Sequence, residues 1–483
     1  MPSRLSGMDA AWLYLETPTS HMHVGSVIVL DPATRSGQPL DRGALAAYVA
    51  SRLHLAPLFR QRLVQVPLRL DRPVWIRDPD FDLDFHVRRA ALPAPGDMAT
   101  LAEFAGDVMS RQLDRARPLW ELYVVEGLVA GPGDGSASSA GVGKERLAIV
   151  VKTHHAAIDG ISGMELTAAM LQLHPDQEVD PPTEPWEPER VPSDGELLAG
   201  AGLRLATLPL GALRTGRQAL ESLTGLLRVG EERRDEPPPA PFAAPTMPWN
   251  GAIGPHRRVA FASVPLPAVK AVKDARGGTV NDVVLALVAG ALRAYLAARG
   301  LPRDRPLVAM VPISVRGTEQ EDQGPNQVSA MLVGLPVDEP DPLRRLARIA
   351  AGTKDAKQQH GALGATTLQQ VAELAPAALS SLAARLYTRM RAADHHRPIW
   401  NVVVSNVPGP RFPLHLAGAR VEAMYPLGPV HEMNGLNITL FSYEQRVFVG
   451  LNADRELLGD VDRVAAALPA ALRELDVAGG GRR

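Results

Sequence analysis

The 483-residue chain contains no cysteine. That single absence removes disulfides, thiolate metal ligands and a cysteine nucleophile. Neither sign of charge is in excess: 51 Lys and Arg stand against 53 Asp and Glu, a formal net charge of -2. A nucleic-acid-binding balance is therefore excluded. No uncharged apolar run is long enough to span a bilayer. The start of the chain places Asp9 and Glu16 among scattered apolar residues, unlike a secretory leader with its basic start and continuous apolar stretch. These absences lead us to expect a cytoplasmic protein, soluble or bound peripherally.

Three common catalytic signatures are also missing. Gly160-Ile161-Ser162-Gly163 is not the Gly-x-Ser-x-Gly elbow of a serine hydrolase. Gly143-Lys144-Glu145 lacks the hydroxyl residue and the upstream glycine of a phosphate-binding loop. No His-Glu-x-x-His occurs, and His154, His155 and Asp159 make a poor zinc set, so no metal is expected. A covalent mechanism is the weaker option. Direct general-base catalysis remains, in which a histidine activates one bound substrate against another.

What is present is His154-His155-Ala156-Ala157-Ile158-Asp159-Gly160. The stretch follows a buried-strand pattern, Leu147 to Lys152, and precedes a helical pattern with Ile161, Met164, Ala168 and Leu171 on one face. Two histidines at a strand-to-helix turn are placed where catalytic groups are often carried. The plainer reading is a strand end with satisfied histidines. The Asp-Gly at fixed spacing favours a site, because a carboxylate one short turn away can fix a ring's tautomer or its loop.

Along the chain, strand patterns are read at His23 to Leu30, Pro118 to Glu126, Arg257 to Val264, Leu307 to Val315, Gln327 to Val337 and Ile399 to Ser405. Leu436 to Tyr443 and Arg446 to Leu451 read as a hairpin. Helices are expected from Asp41 to Leu53, Thr100 to Gln112, Thr279 to Ala298 (capped by Thr279 or Asn281), Asp341 to Gln359, Thr367 to Ala392 and Asp460 to Leu475. Two proline-rich stretches, 180–192 and 236–248, bracket a leucine- and arginine-bearing segment at 196–229. That segment reads either as linker helices packed on the protein or as a helix docking at a membrane surface. The expected fold class is α/β: two similar domains, 1–180 and 251–477, joined by a linker at 181–250, with a cleft between them and a disordered tail at 478–483.

His154-His155-x-x-x-Asp159-Gly160 resembles the signature of the chloramphenicol acetyltransferase-like superfamily. Leu13 to Pro18 with Met22 to Gly25, Pro118-Leu119-Trp120, Asn281-Asp282, Pro312 to Arg316, Ser405 to Pro410 and Gly435 to Thr439 narrow the likeness. This ordered set resembles the bacterial wax ester synthase/acyl-CoA:diacylglycerol acyltransferase family. The resemblance implies two mixed α/β acyltransferase domains with an active-site tunnel at their interface. It implies His155 as general base, His154 as its support, Asp159 as organiser of the loop and Gly160 as the residue that lets it turn. Asn281 becomes a candidate oxyanion donor, with a helix cap as its alternative. Glu16 is expected at the site or in a packing role, and Arg316 at a CoA phosphate or the domain interface. Trp120 is expected in the scaffold. The implied substrates are acyl-CoA, as co-substrate without a bound cofactor, and diacylglycerol or a long-chain alcohol. Peripheral association with the inner membrane face or lipid droplets follows from such substrates. A condensation enzyme for a specialised acceptor and a non-catalytic lipid-binding protein remain as alternatives.

Overall fold

A computed structural model describes residues 3–33, 40–129, 144–157, 169–204, 206, 243–314, 328–362 and 377–480. Asp159, Gly160 and Arg316 lie outside the described residues, as do the Gly/Ser-rich stretch before His154, most of the helix expected after Gly160 and most of 205–242. Two six-stranded sheets organise the rest. The first runs, in spatial order, His415–Leu416, Ala419–Leu427, His23–Asp31, Glu145–His154, Trp120–Val129 and Val87–Ala91. The second runs Val328–Leu335, Leu307–Ser314, Val402–Val407, Leu436–Tyr443, Arg446–Asp454 and Arg257–Pro265. Both are mixed. Val87–Ala91 lies parallel to its neighbour in the first sheet, and Val402–Val407 is parallel to both of its neighbours in the second.

Local chemistry explains most elements. Asp41 caps the Arg42–Arg52 helix by accepting from the Ala44 amide, and Asp97 does the same for Met98–Met109 through Thr100. Thr279, not Asn281, caps Val280–Ala298, in a reciprocal box with Asp282. That helix is apolar and long enough to cross a bilayer by length and composition. Its buried run from Asp282 to Leu292 instead forms the centre of the second core, packed against the sheet and the Val461–Gly480 helix. The last helix extends past its expected end at Leu475, so residues 478–480 are helical.

Ala419–Leu427 carries no expected strand, yet it is a nine-residue strand in the first sheet, paired antiparallel with His23–Asp31. Both of its faces are covered, so the apolar alternation that marks a half-exposed strand is missing. A bulge between Val421 and Ala423 sets Glu422 apart, and Glu422 is buried against Arg146. The halves meet where backbone approaches backbone. A Cβ on Gly450 would lie 1.8 Å from the Pro426 carbonyl oxygen, and one on Gly106 would lie 2.9 Å from that of Arg257. Only glycine fits at such approaches.

Candidate active site

Each histidine of the pair ends up in a different environment because a strand ends between them. His154 closes the Glu145–His154 strand, pairs with His23 across the sheet and is 1% exposed. His155 opens a short 3-10 turn, His155–Ala157, and is half-buried. Their amides are fixed by two of the motifs read from sequence. His154 N–H donates to the Leu119 carbonyl at 3.0 Å, and His155 N–H donates to the Met22 carbonyl at 2.9 Å. Met22 holds a left-handed φ of 51°, a conformation costing roughly 1–2 kcal/mol for a residue with a side chain. The strain sits directly at the anchor of His155.

The Gly7–Leu15 helix supplies a partner for each ring. Trp12 stacks on His155 with ring centroids 4.1 Å apart. Glu16, four residues further on and at the C-cap, places Oε2 3.3 Å from His154 Nε2. His154 Nδ1 accepts from the Ala156 amide at 3.0 Å, which leaves the ring proton on Nε2, facing Glu16. Burial pushes the His154 pKa down against the pull of Glu16, so the ring is neutral. Burial pushes the Glu16 carboxyl up, but the bond to His154 and the charge of Arg115 outweigh it, and Glu16 stays ionised. Arg115 Nε donates to Glu16 Oε2 at 2.8 Å, and Gln112 Nε2 donates to the Thr17 carbonyl at 3.1 Å.

Two further imidazoles extend this cluster. His23 lies edge-on to His154 at 6.1 Å and stacks with His21 at 5.5 Å. Desolvation lowers both, His21 to about 4 and His23 well below the ordinary value. The segment carrying His21 and Met22 is fastened to the second half. Thr19 Oγ1 donates to Glu432 Oε1 at 3.1 Å, the Arg257 guanidinium donates to the Thr19 carbonyl, and His21 Nε2 lies 3.3 Å from the Pro255 carbonyl oxygen. The position of His155 therefore depends on both halves of the chain.

A pH dependence follows. An imidazole whose folded pKa is lowered is protonated first in the unfolded chain, so its stability contribution is complete above about pH 6.5 and is lost as the pH falls. His21, His23, His86, His154 and His431 are all lowered, burial being the largest cause in each. Glu432 and Asp454, raised by burial, act in the opposite sense. With His21 held at about 4, that ring alone removes roughly 3 kcal/mol by the time the pH reaches its folded value. Urea unfolding midpoints should decline steadily below pH 6.5; a flat profile from there down to about pH 4 would contradict the buried neutral cluster.

The other expected residues are placed as follows. Asn281 Oδ1 accepts from Asn406 Nδ2 at 3.5 Å, which joins the Asn281-Asp282 and Ser405–Pro410 motifs in space. Trp120 is buried between Phe59 and His86, with its indole N–H on the Phe59 carbonyl. Glu16 is held inside the protein by Arg115 and His154. In the linker, 194–204 is helical and buries Leu197 and Ala201 against Val66 and Val74. Trp12 and Arg115 carried no expectation, and Met22 only that of belonging to a motif. The four-residue spacing of Trp12 and Glu16 was a visible hint of a shared helix face; Arg115 had no such signal. Among the described residues no group of His, Asp and Glu is arranged to hold a metal ion.

Residues 5–284 match the wax ester synthase/diacylglycerol acyltransferase catalytic domain, and residues 325–476 match the C-terminal domain of the same family. A Mycobacterium tuberculosis protein named for diacylglycerol O-acyltransferase activity is 37% identical over 98% of this chain and 90% of its own length. The solved wax ester synthase/diacylglycerol acyltransferase of Marinobacter aquaeolei VT8 is 30% identical, with a TM-score of 0.67, covering 99% of this chain and all of that one (100%). A trichothecene 15-O-acetyltransferase from Fusarium sporotrichioides shares the fold at 10% identity and a TM-score of 0.58, covering 98% of this chain and 95% of that one. A starter condensation domain of rhizomide synthetase does so at 13% and 0.53, covering 99% and 94%. The chain belongs to the wax ester synthase/diacylglycerol acyltransferase family of acyltransferases.

Proposed function

We propose that this acyltransferase moves a long-chain acyl group from acyl-CoA to the hydroxyl of diacylglycerol, of a long-chain alcohol, or of both, in a tunnel between the two halves. His155 takes the hydroxyl proton as the oxygen attacks the thioester carbonyl. The carbon–sulfur bond then breaks, and the imidazolium returns the proton to the CoA thiolate. No acyl-enzyme is formed.

One observation carries the choice of base. His154 has one ring nitrogen accepting from the Ala156 amide and the other facing Glu16, inside the protein. His155 is half-buried, held through its main chain and the Trp12 ring. A proton carrier must reach substrate, and of the two rings His155 is the less buried. His154, Glu16 and Arg115 then act as positioning residues, since the Ala156 amide bonded to His154 belongs to the turn that starts at His155. Asn281 is the proposed oxyanion donor; with Oδ1 engaged by Asn406, its Nδ2 hydrogens are the ones that point to that role. Asp159 would hold the loop, Gly160 its turn, and Arg316 a CoA phosphate or the interface. The apolar substrates also place the protein peripherally at the inner membrane face or on lipid droplets.

The test is thiol release from palmitoyl-CoA with and without acceptor. Release should depend on diacylglycerol or hexadecanol. Absence of acceptor-dependent release would favour lipid binding alone, and faster reaction from a carrier-bound donor would favour a condensation enzyme.

A further inference from the structure

Leu382, Leu386 and Met390 follow at four-residue spacing along the end of the Ala377–Arg389 helix and so form one stripe. All three are exposed, Leu382 at 62% and Met390 at 63%. Arg385 and Arg389 are exposed between them. The nearest carboxylate in sequence, Asp394, is already paired with Arg391. An amphipathic helix packed on a protein turns its apolar face inward; here the outward face carries the leucines.

The Pro67–Arg69 turn stands beside this helix and reinforces the pattern. Arg69 Nη1 donates to Ser381 Oγ at 2.8 Å, which fixes the turn to the start of the stripe. Leu68 and Arg69 both hold left-handed backbone, φ 55° and 54°, and Leu68 is 81% exposed. Two consecutive side-chain-bearing residues avoid that conformation. It lifts an apolar tip into solvent, where folding gains nothing from it. Both elements touch, and the helix also packs on Gly7–Leu15, where Leu15 is exposed and Trp12 stacks on His155. The exposed side chains thus sit on elements that touch, one of which carries the Trp12 that stacks on His155.

We propose that this face, with Leu68 at its tip and the Leu382–Met390 stripe beside it, docks the enzyme on an anionic phospholipid surface. Arg69, Arg385 and Arg389 meet the phosphate headgroups, and the leucines enter the acyl boundary. The assignment deepens the peripheral-association reading above and does not depend on the acyl-transfer chemistry. Charge favours lipid: the whole chain is at -2, yet these arginines gather on one apolar face. A second copy of the same face would set arginine against arginine across a two-fold axis. A protein partner is disfavoured by a stripe of Leu and Met without the aromatic anchors typical of such interfaces.

The test is co-sedimentation of the full chain with phosphatidylcholine vesicles, with and without phosphatidylglycerol. The wild type should bind the anionic vesicles in a salt-sensitive manner. Leu68→Glu combined with Leu382→Glu should weaken binding by roughly tenfold or more, and Arg385→Ser and Arg389→Ser by roughly fivefold each. Circular dichroism should be unaltered, as should thiol release with donor and acceptor in detergent micelles. His155→Ala should bind vesicles like the wild type, which separates loss of docking from loss of chemistry. A wild type that stays in the supernatant, variants that bind unchanged, or variants that alter only the oligomeric state by light scattering would overturn the proposal.

Discussion

His155→Ala is expected to lower acceptor-dependent thiol release from acyl-CoA by roughly 10²- to 10⁴-fold, the usual contribution of a positioned general base, while the protein stays folded. The side chain is half-buried, and its ring stacks on Trp12. Losing such a stack costs about 0.5–1.5 kcal/mol, well below the 5–15 kcal/mol that holds a typical domain. The amide bond to the Met22 carbonyl survives the substitution. His154→Ala should behave differently, because it removes a buried ring, uncovers the Ala156 amide and leaves the Glu16 carboxylate with one partner fewer. Thiol release and thermal unfolding, measured on both variants, separate the roles. Near-normal turnover in His155→Ala would remove it as the base.

The largest stability effect is expected at Arg146 and Glu422. Their side chains are each 1% exposed and form an ion pair across the intervening His23–Asp31 strand, from Glu145–His154 to the bulge of Ala419–Leu427. Glu422→Ala should cost about 3–5 kcal/mol, because it leaves a guanidinium buried without its carboxylate. Arg146→Met combined with Glu422→Leu should regain most of that loss, since neither charge then has to be desolvated. Urea unfolding of the single and double variants checks the asymmetry. Equal losses in both would mean that the pair itself, not the stranded charge, sets the stability. The single variant should also lose activity. The strand it loosens leads toward Glu432, which accepts from Thr19 in the segment that carries Met22.

Much of the fold was legible from local pattern. The Arg42–Arg52 and Val280–Ala298 helices announce themselves by Asp41 and Thr279 at their caps, because capping is settled within four residues. His23–Asp31 announces itself by Val24, Val27, Ile28 and Val29. The Ala419–Leu427 strand did not, with Glu422 and Pro426 inside it and both faces covered. Nor could spacing show that a segment so late in the chain inserts beside one that begins at His23.

The site divides in the same way. Sequence alone determined that no thiol chemistry is available, that two adjacent histidines sit at the end of a strand, and that an ordered set of motifs surrounds them. The tertiary structure decided which neighbour each histidine has. Trp12 goes to His155 and Glu16 to His154, with Arg115 behind Glu16 and Thr19 tied to Glu432 in the far half. Periodicity and caps are properties of neighbouring residues and can be read along the chain. Which ring is buried and neutral, with one nitrogen bonded to an amide and the other facing a carboxylate, depends on residues brought together by loop closure and packing, and those contacts exist only once both sheets have formed.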